Sequence, residues 1–381
     1  MAKVLSVVGA RPQFVKAAPT SAAIRRSHEE VLVHTGQHYD DNLSAVFFDE
    51  LGIPEPDYNL GVGSATHAVQ TGEMMRRLDD VIERESPHLV LVYGDTNSTL
   101  AAALVAVKRD PLLAHVEAGL RSYNWAIPEE VNRVLTDHCS DLLFVPAESA
   151  ADNLAAEGLT EGVHVTGDVQ YDALLSARET ARERSTIVEE VGVADGEYVL
   201  ATVHRPSNTD DPRRLEALMD GLATSTLPVV FPVHPRTEHA LKEHGLWTGV
   251  VGSETIRVID AAGYLDFVRL LDGAERVATD SGGVQKEAFY LATRCITLRS
   301  KTEWVETVEC GWNVLVDADP AAIERDLART DPLPQRPSLY GDGEAAEAIR
   351  RILDAQLPVA AGSQENDEVA TPSENSRIDG R

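Results

Sequence analysis

The stretch that decides the fold is Leu89-Val90-Leu91-Val92-Tyr93-Gly94-Asp95-Thr96-Asn97-Ser98-Thr99. Its apolar start predicts a short buried strand, and a small-residue run at 100–109 predicts a helix. A second apolar run, at 112–116, ends at Glu117. A strand, a helix and a strand in this order predict a βαβ unit, whose crossover is right-handed in nearly all proteins. The strands are therefore parallel, and Asp95 and Glu117 follow their carboxyl ends at one edge of the sheet.

A third acid is predicted to reach the same edge, where open α/β sheets bind ligands. The chain continues to Pro128-Glu129-Glu130, in which Pro128 suits the start of a helix and Glu129 suits its first turn. In a chain with 62 acidic residues, Glu129 could simply complement the helix dipole. Carboxylates that follow two buried strands must be paired with a cation, solvated, or involved in binding or catalysis. We therefore predict that Asp95, Glu117 and Glu129 belong to a functional site.

The alternation of strand and helix continues along the chain and predicts an α/β fold with two Rossmann-like, doubly wound parallel sheets. The predicted strands are 4–8, 31–34, 89–93, 112–116, 142–145 and 163–166 in the first half, and 198–203, 229–233, 256–259, 276–279, 295–298 and 313–316 in the second. The clearest amphipathic helices are 66–85 and 344–353. We predict domains at 1–170 and 171–356, followed by a disordered acidic tail at 357–381.

The composition limits the classes of partner. An apolar fraction of 43% and a charged fraction of 25% are typical of a globular protein. The net charge of −28 argues against nucleic acid or an anionic membrane as a partner. A carboxylate-rich, lysine-poor surface stays hydrated at high salt, so we predict a halophilic protein.

Metal sites, disulfides and membrane spans are not predicted. The cysteines Cys139, Cys295 and Cys310 form neither an even framework nor a Cys-x-x-Cys motif. The histidines lack metal-ligand spacing. The apolar runs are far shorter than the roughly 18 residues of a membrane helix, and the first residues read as a strand rather than a signal peptide. We expect a cytoplasmic protein.

Cationic residues are predicted near the ends of other strands. Arg11 and Lys16 lie where the first strand turns into a helix after Gly9, a position that favours anions, although they could be two surface cations. His204-Arg205 and His234-Pro235-Arg236 end two strands of the second half. Two His–Arg pairs at equivalent ends suggest a positive pocket for a leaving phosphate.

The sharpest local motif is Asp280-Ser281-Gly282-Gly283, between a predicted strand and a helix expected at 284–291. A turn of this kind points backbone amides at a phosphate. The alternative is ordinary helix capping by Asp280 or Ser281. Two adjacent glycines exceed what capping needs, so we favour a phosphate site. Glu287, one turn further on, could accept hydrogen bonds from ribose hydroxyls.

Together these segments resemble the non-hydrolysing UDP-N-acetylglucosamine 2-epimerase family over nearly all of residues 1–355. The motifs that carry the resemblance are Gly9-Ala10-Arg11-Pro12, Thr35-Gly36-Gln37-His38, Gly94-Asp95-Thr96, His115-Val116-Glu117-Ala118-Gly119-Leu120-Arg121, Pro128-Glu129-Glu130-Val131-Asn132-Arg133, Val203-His204-Arg205, Pro232-Val233-His234-Pro235 and Asp280-Ser281-Gly282-Gly283-Val284-Gln285. Their order and spacing are highly specific.

The resemblance implies two domains of GT-B type with a UDP-sugar in the cleft between them, a homodimer, and a last helix that packs on the first domain. It assigns catalytic positions to Asp95, Glu117, Glu129 and His204. It assigns contacts with the nucleotide to Arg11, Lys16, Phe267, Ser281, Gly282, Gly283 and Glu287. Further substrate-binding candidates in or beside the matching motifs are His38, Arg133, Arg205 and His234.

The implied reaction uses no cofactor. Members of this family are understood to eliminate UDP across C1–C2, hold a 2-acetamidoglucal, and add UDP back from the inverted configuration. Such chemistry needs carboxylates near C2 and the ring. It also needs cations and backbone dipoles around the leaving diphosphate.

Three other functions are compatible with parts of the sequence. Trp304 stands where the family usually has arginine, and with Gly167-Asp168-Val169-Gln170-Tyr171-Asp172 it resembles the branch that acts on UDP-2,3-diacetamido-uronates. That enzyme would keep the mechanism and change the sugar. A GT-B glycosyltransferase would share the fold but has no reason for acids at both Asp95 and Glu117. A non-catalytic sugar-nucleotide sensor is the most distant.

Overall fold

In the part of the chain that the structure describes, the first domain is built on a parallel sheet of seven strands. The computed structural model describes residues 1–37 and 54–358. The strands are β1 (Lys3–Val8), β2 (Glu29–His34), β3 (Tyr58–Asn59), β4 (Leu89–Tyr93), β5 (Leu112–Val116), β6 (Leu142–Val145) and β7 (Val163–Val165). Their order across the sheet is β3-β2-β1-β4-β5-β6-β7.

The second domain repeats the plan with six parallel strands. They are β8 (Val199–Thr202), β9 (Val229–Pro232), β10 (Ile256–Ile259), β11 (Arg276–Thr279), β12 (Arg294–Thr297) and β13 (Asn313–Leu315). The order is β10-β9-β8-β11-β12-β13. The strand order reverses between β1 and β4 and between β8 and β11, and ligands bind beside such switch points in open α/β sheets.

Helices cover both sheets. In the first domain and the junction they are α1 (Arg11–Ile24), α2 (His67–Glu85), α3 (Asn97–Ala106), α4 (Pro128–Cys139), α5 (Glu148–Ala156) and α6 (Val169–Arg184). In the second they are α7 (Ile187–Val191), α8 (Pro206–Thr209), α9 (Pro212–Ala223), α10 (Pro235–Glu243), α11 (Trp247–Val251), α12 (Tyr264–Gly273), α13 (Gly282–Tyr290), α14 (Val305–Glu309), α15 (Pro320–Leu327) and the last helix, α16 (Ala345–Gln356).

The central strands lie where the apolar runs predict them. Every residue of β4 is buried, and the strand pairs in parallel with β1 and β5. Tyr93 is opposite Val116 in the register, so the loops that follow β4 and β5 leave the sheet side by side. This register brings the segments of Asp95 and Glu117 to one edge.

One strand was not predicted, and several element ends differ from the sequence-based prediction by one to three residues. The first sheet has seven strands rather than about six, because the two residues of β3 pair with β2. Two residues are too few to produce a hydrophobic pattern, and the neighbouring Asp57 carboxylate accepts a hydrogen bond from the Leu32 amide at 2.8 Å. The helix predicted at 284–291 begins earlier, at Gly282.

The last helix returns to the first domain. On α16, the buried Ala345, Ile349 and Leu353 share an apolar core with β1 and α1. The predicted boundary at 170/171 falls in the first turn of α6, which packs on both α1 and α12, and it stays a prediction. The predicted tail lies outside the described residues except for 357–358, of which Leu357 is buried in the same core.

Candidate active site

A buried ion pair joins the first helix to the loop after β5. The ammonium of Lys16 on α1 donates a hydrogen bond to Oε2 of Glu117, and both side chains are nearly inaccessible to solvent. The backbone of Glu117 is left-handed, with φ of 71°. A non-glycine residue in this conformation stores strain, which is commonly found at functional sites. The strand end therefore presents Glu117 in a fixed orientation towards α1.

The charge on Lys16 is maintained by its acidic surroundings. Burial lowers the pKa of Lys16, but Glu117, with smaller contributions from Asp95 and Asp168, outweighs burial and raises the pKa overall. Gly94 contributes space here, since a methyl group at its α-carbon would lie 3.3 Å from both Glu117 Oε2 and Lys16 Nζ. Lys16, Asp95 and Glu117 thus form one electrostatic cluster.

Residues of helix α4 contact Asp95, the other acid of this cluster. The Arg133 guanidinium pairs with the Asp95 carboxylate and also donates to Glu130 Oε2 at 3.0 Å. Asn132 Nδ2 donates to the Asp95 carbonyl at 2.9 Å. Arg133, a predicted substrate-binding residue, therefore contacts a predicted catalytic one.

The two acids at the start of α4 have different environments. Glu129 is exposed, whereas Glu130 is buried. The Glu130 carboxylate accepts hydrogen bonds from the Ser122 and Tyr123 amides, which fixes the loop before α4. The sequence did not identify Glu130, because nothing in the sequence distinguishes a buried acid from the other acids among the 62.

A cavity of about 200 Å³ opens at the carboxyl ends of β8 and β9. The rings of His204 and His234 lie on its wall with centroids 5.8 Å apart. Its full lining is Thr202, Val203, His204, Pro232, His234, Ala261, Ala262, Phe267, Ser281 and Val284. Burial lowers the pKa of His204, as do His234 and Arg205, while Asp280 opposes them. Four predicted residues, His204, His234, Phe267 and Ser281, therefore share one cavity.

Asp280 supports the wall of this cavity. From the sequence it was considered only as a possible helix cap. Its buried carboxylate accepts hydrogen bonds from the His204 amide at 3.0 Å and the Arg205 amide at 2.9 Å. Its carbonyl accepts one from Arg205 Nε at 2.8 Å. Asp280 thereby fixes the backbone of both predicted residues.

The Ser-Gly-Gly motif is the start of α13. Ser281 is the N-cap residue, and Gly282 and Gly283 are the first helical residues. Amides at these positions have no partner inside a helix. A methyl group at Gly282 would lie 3.5 Å from Glu303 Oε2 and 3.6 Å from Arg205 Nη2, so a carboxylate and a guanidinium both lie beside these amides. The cap by Ser281 is observed, and the anion site stays a prediction.

One turn further, burial raises the pKa of Glu287 to about 7, against the opposing effect of Lys286. Lys286 itself forms a buried ion pair with Asp168, at the junction of the domains. Tyr290 donates to the same carboxylate at 2.6 Å. Trp304 covers Lys286, with the ammonium 4.4 Å from the ring centroid. Helix α13 therefore connects the glycine turn to Asp168, which in turn influences Lys16.

For two predicted site residues the structure describes no side-chain contacts. Arg11 is the first residue of α1, and His38 lies outside the described residues. Within 1–37 and 54–358, His, Cys, Asp and Glu side chains form no group of three that could hold a metal ion. In the same ranges no helix is long and apolar enough to cross a membrane.

Comparison with known proteins identifies the family. A family model described as UDP-N-acetylglucosamine 2-epimerase matches residues 22–354. A UDP-2,3-diacetamido-2,3-dideoxy-D-glucuronate 2-epimerase from Pseudomonas aeruginosa is 46% identical over 362 residues, which cover 92% of this chain and 99% of that protein.

Solved structures agree with the fold. The UDP-GlcNAc 2-epimerase from Methanocaldococcus jannaschii superposes with a TM-score of 0.85 at 39% identity, covering 93% of this chain and 99% of that one. A structure from the same organism in complex with UDP-GlcNAc and UDP gives a TM-score of 0.76 at 40% identity, with the same coverage. The predicted fold class, two Rossmann-like domains of GT-B type, is confirmed. The chain belongs to the UDP-N-acetylglucosamine 2-epimerase family.

Proposed function

We propose that this protein is a non-hydrolysing UDP-N-acetylglucosamine 2-epimerase, which interconverts UDP-GlcNAc and UDP-ManNAc without a cofactor. One observation carries the proposal. The cluster of Lys16, Asp95 and Glu117 in the first domain is linked through Asp168 to helix α13, whose glycine start and neighbouring Arg205 suit a diphosphate. Acids and anion donors are the two groups that this reaction needs.

The reaction begins with loss of UDP from C1 and of the proton from C2. Because C2 is not adjacent to a carbonyl, its proton is too weakly acidic for simple abstraction and return. Asp95, Glu117 and Glu129 supply carboxylates for proton transfer and for the positive charge that develops on the ring. The amides of Gly282 and Gly283 stabilise the departing diphosphate.

Side chains of the second domain complete the UDP site in this proposal. Arg205, His204 and His234 lie beside the diphosphate, and Glu287 accepts hydrogen bonds from the ribose. Arg11 and Lys16 extend the cationic side from the first domain, with Phe267, Ser281, His38 and Arg133 as further contacts. Closure of the cleft between the domains keeps UDP and the glucal intermediate together for re-addition.

Incubation with UDP-GlcNAc in D2O tests the mechanism. We expect deuterium at C2 of both epimers, because the proton is exchanged at the intermediate. Asp95→Asn, Glu117→Gln and Glu129→Gln should each lower kcat by about 100-fold or more. Glu148→Gln, at an exposed first-turn position of α5, serves as the matched control and should retain activity. Epimerisation without label would exclude elimination.

A second candidate substrate is a UDP-2,3-diacetamido-uronate. It is favoured by the 46% identity to the Pseudomonas aeruginosa enzyme and by Trp304, which packs on Lys286 beside the junction of the domains. The mechanism is unchanged, since only the substituents at C3 and C5 differ. Measuring kcat/KM for both nucleotides in parallel decides between them, and a preference for the uronate above about tenfold would replace the first assignment.

We further propose that the protein acts as a cytoplasmic homodimer adapted to high salt. Val69, Val107 and Leu135 are exposed apolar residues on or next to α2, α3 and α4, and a second copy could cover them. The charge of −28 supports adaptation to salt. Light scattering in molar salt should give twice the chain mass of 41.3 kDa. A monomer mass would contradict the dimer.

A further inference from the structure

A buried histidine lies between the loops that carry Asp95 and Glu117. His115 on β5 is inaccessible to solvent, as is Asp137 on α4. His115 Nδ1 lies 2.7 Å from Asp137 Oδ1, and Nε2 lies 2.7 Å from the carbonyl oxygen of Gly94. We refer to His115 and Asp137 as the His–Asp cluster. The proposed reaction has no direct use for either residue.

Both hydrogen-bond partners of the ring carry acceptor oxygens. A backbone carbonyl can only accept, and an ionised carboxylate can only accept. Burial raises the pKa of Asp137, but His115 and Arg121 outweigh burial, so the carboxyl pKa is lowered overall. The ring therefore has an acceptor on each side, one belonging to the Asp95 loop and one joined to the Glu117 loop.

The Asp137 carboxylate extends the cluster to the second loop. Its Oδ2 accepts a hydrogen bond from the Gly119 amide at 3.1 Å and one from Arg121 Nη1 at 2.6 Å. The cluster thus holds the residue immediately before Asp95 and the residue two positions after Glu117. Glu117 has a positive φ, which is strained for a non-glycine residue, so its turn needs outside contacts to persist.

We propose that His115 is a positioning residue for the epimerisation, whose ring ties the Asp95 loop to the Glu117 loop through Gly94 and Asp137. The proposal rests on the proposed function. His115 contacts the loops rather than the reacting atoms, and its effect is to fix the separation of two catalytic carboxylates. Because a misplacement of about 1 Å costs about 100-fold in rate, the cluster should affect kcat rather than nucleotide binding.

Substitution of the His–Asp cluster tests this. A glutamine amide has one donor end, so His115→Gln leaves either the Asp137 carboxylate or the Gly94 carbonyl facing an amide oxygen, and we expect kcat to fall about 100-fold with KM within about twofold. In His115→Gln/Asp137→Asn, the amide nitrogen of the new asparagine can face the oxygen of the new glutamine, while the asparagine oxygen keeps its contacts with Gly119 and Arg121. We expect the double variant to regain about tenfold in kcat.

The control is His164→Gln, since His164 lies on the neighbouring part of the same sheet without these contacts and is only half-buried. It should keep kcat within about twofold. If His115→Gln fails to fold, the double variant is compared with the wild type, and kcat about tenfold below the wild type with KM within about twofold is expected. Unchanged kcat in His115→Gln, or a double variant no faster than the single one, would overturn the proposal.

Two measurements separate failure of this proposal from failure of the proposed function. In His115→Gln, the amides of Asp95 and Glu117 should exchange with solvent about tenfold faster. Unchanged exchange refutes positioning even if the chain acts on another sugar, whereas absent epimerisation by the wild type refutes only the proposed function.

Discussion

Glu287 is the single residue whose environment gives the clearest prediction. Burial raises its pKa to about 7, so it is half protonated at neutral pH. The ionised carboxylate accepts hydrogen bonds from both ribose hydroxyls, while the protonated form offers a donor in place of an acceptor. UDP binding should therefore weaken as pH falls, by about tenfold between pH 8 and pH 6.

Calorimetric titration with UDP measures this dependence. UDP itself titrates in the same range, so Glu287→Gln is the necessary control, because the ligand contributes equally to both proteins. We expect the wild type to lose more affinity than the variant between pH 8 and pH 6. Parallel profiles would show that Glu287 does not contact the ribose in its ionised form.

Other single residues show why sequence order could bring part of the candidate site together. His204, His234 and Ser281 share a cavity because each follows a strand or caps a helix at the same sheet edge, a position that sequence order reveals. Phe267, in the first turn of α12, was assigned only by the family resemblance. Asp168 and Lys286 form an ion pair across 118 positions of the chain, and such a pair leaves no local pattern. The contacts of the His–Asp cluster were missed for the same reason.

Among the elements, α13 connects the two domains and should be sensitive at Lys286. Its ammonium and the Asp168 carboxylate are both buried, so Lys286→Met leaves an unpaired buried charge. We expect the free energy of unfolding to fall by about 3–5 kcal/mol. Urea titration followed by circular dichroism measures the change.

The control is Lys242→Met on α10, which breaks an exposed pair with Glu238 and should cost less than about 1 kcal/mol. Lys286→Met/Asp168→Asn should recover part of the loss, because no unpaired charge remains. Equal effects of the two single substitutions would mean that the Asp168 pair contributes no more than a surface pair.

The start of α13 also shows that sequence patterns predict the presence of an element better than its first residue. The strands β4, β5, β6, β10 and β11 match the predicted ranges, and β4 and β6 among them are apolar or aromatic throughout and fully buried. The helix was expected to begin after the glycines, because glycine is a poor helix former. It includes them, since Ser281 caps the helix there and the first two helical positions need no side chain for packing.

At the scale of the whole molecule, the net charge of −28 should make stability depend on salt. The Debye length is about 3 Å at 1 M salt and about 30 Å at 0.01 M. Carboxylates on opposite sides of a domain therefore repel one another only in dilute salt, and this repulsion favours the expanded chain. We expect the urea midpoint of unfolding to fall when salt is lowered from about 1 M to about 0.01 M.

Salt also strengthens apolar burial, so repulsion has to be separated from that general effect. Replacing the exposed Glu183, Glu216, Glu254 and Glu324 by glutamine removes four negative charges and leaves the apolar core unchanged. If repulsion dominates, this variant loses less stability than the wild type when salt is lowered, and the two proteins converge at high salt, where charges are screened. An equal response of both proteins would assign the salt dependence to burial, and a constant midpoint would contradict adaptation to salt altogether.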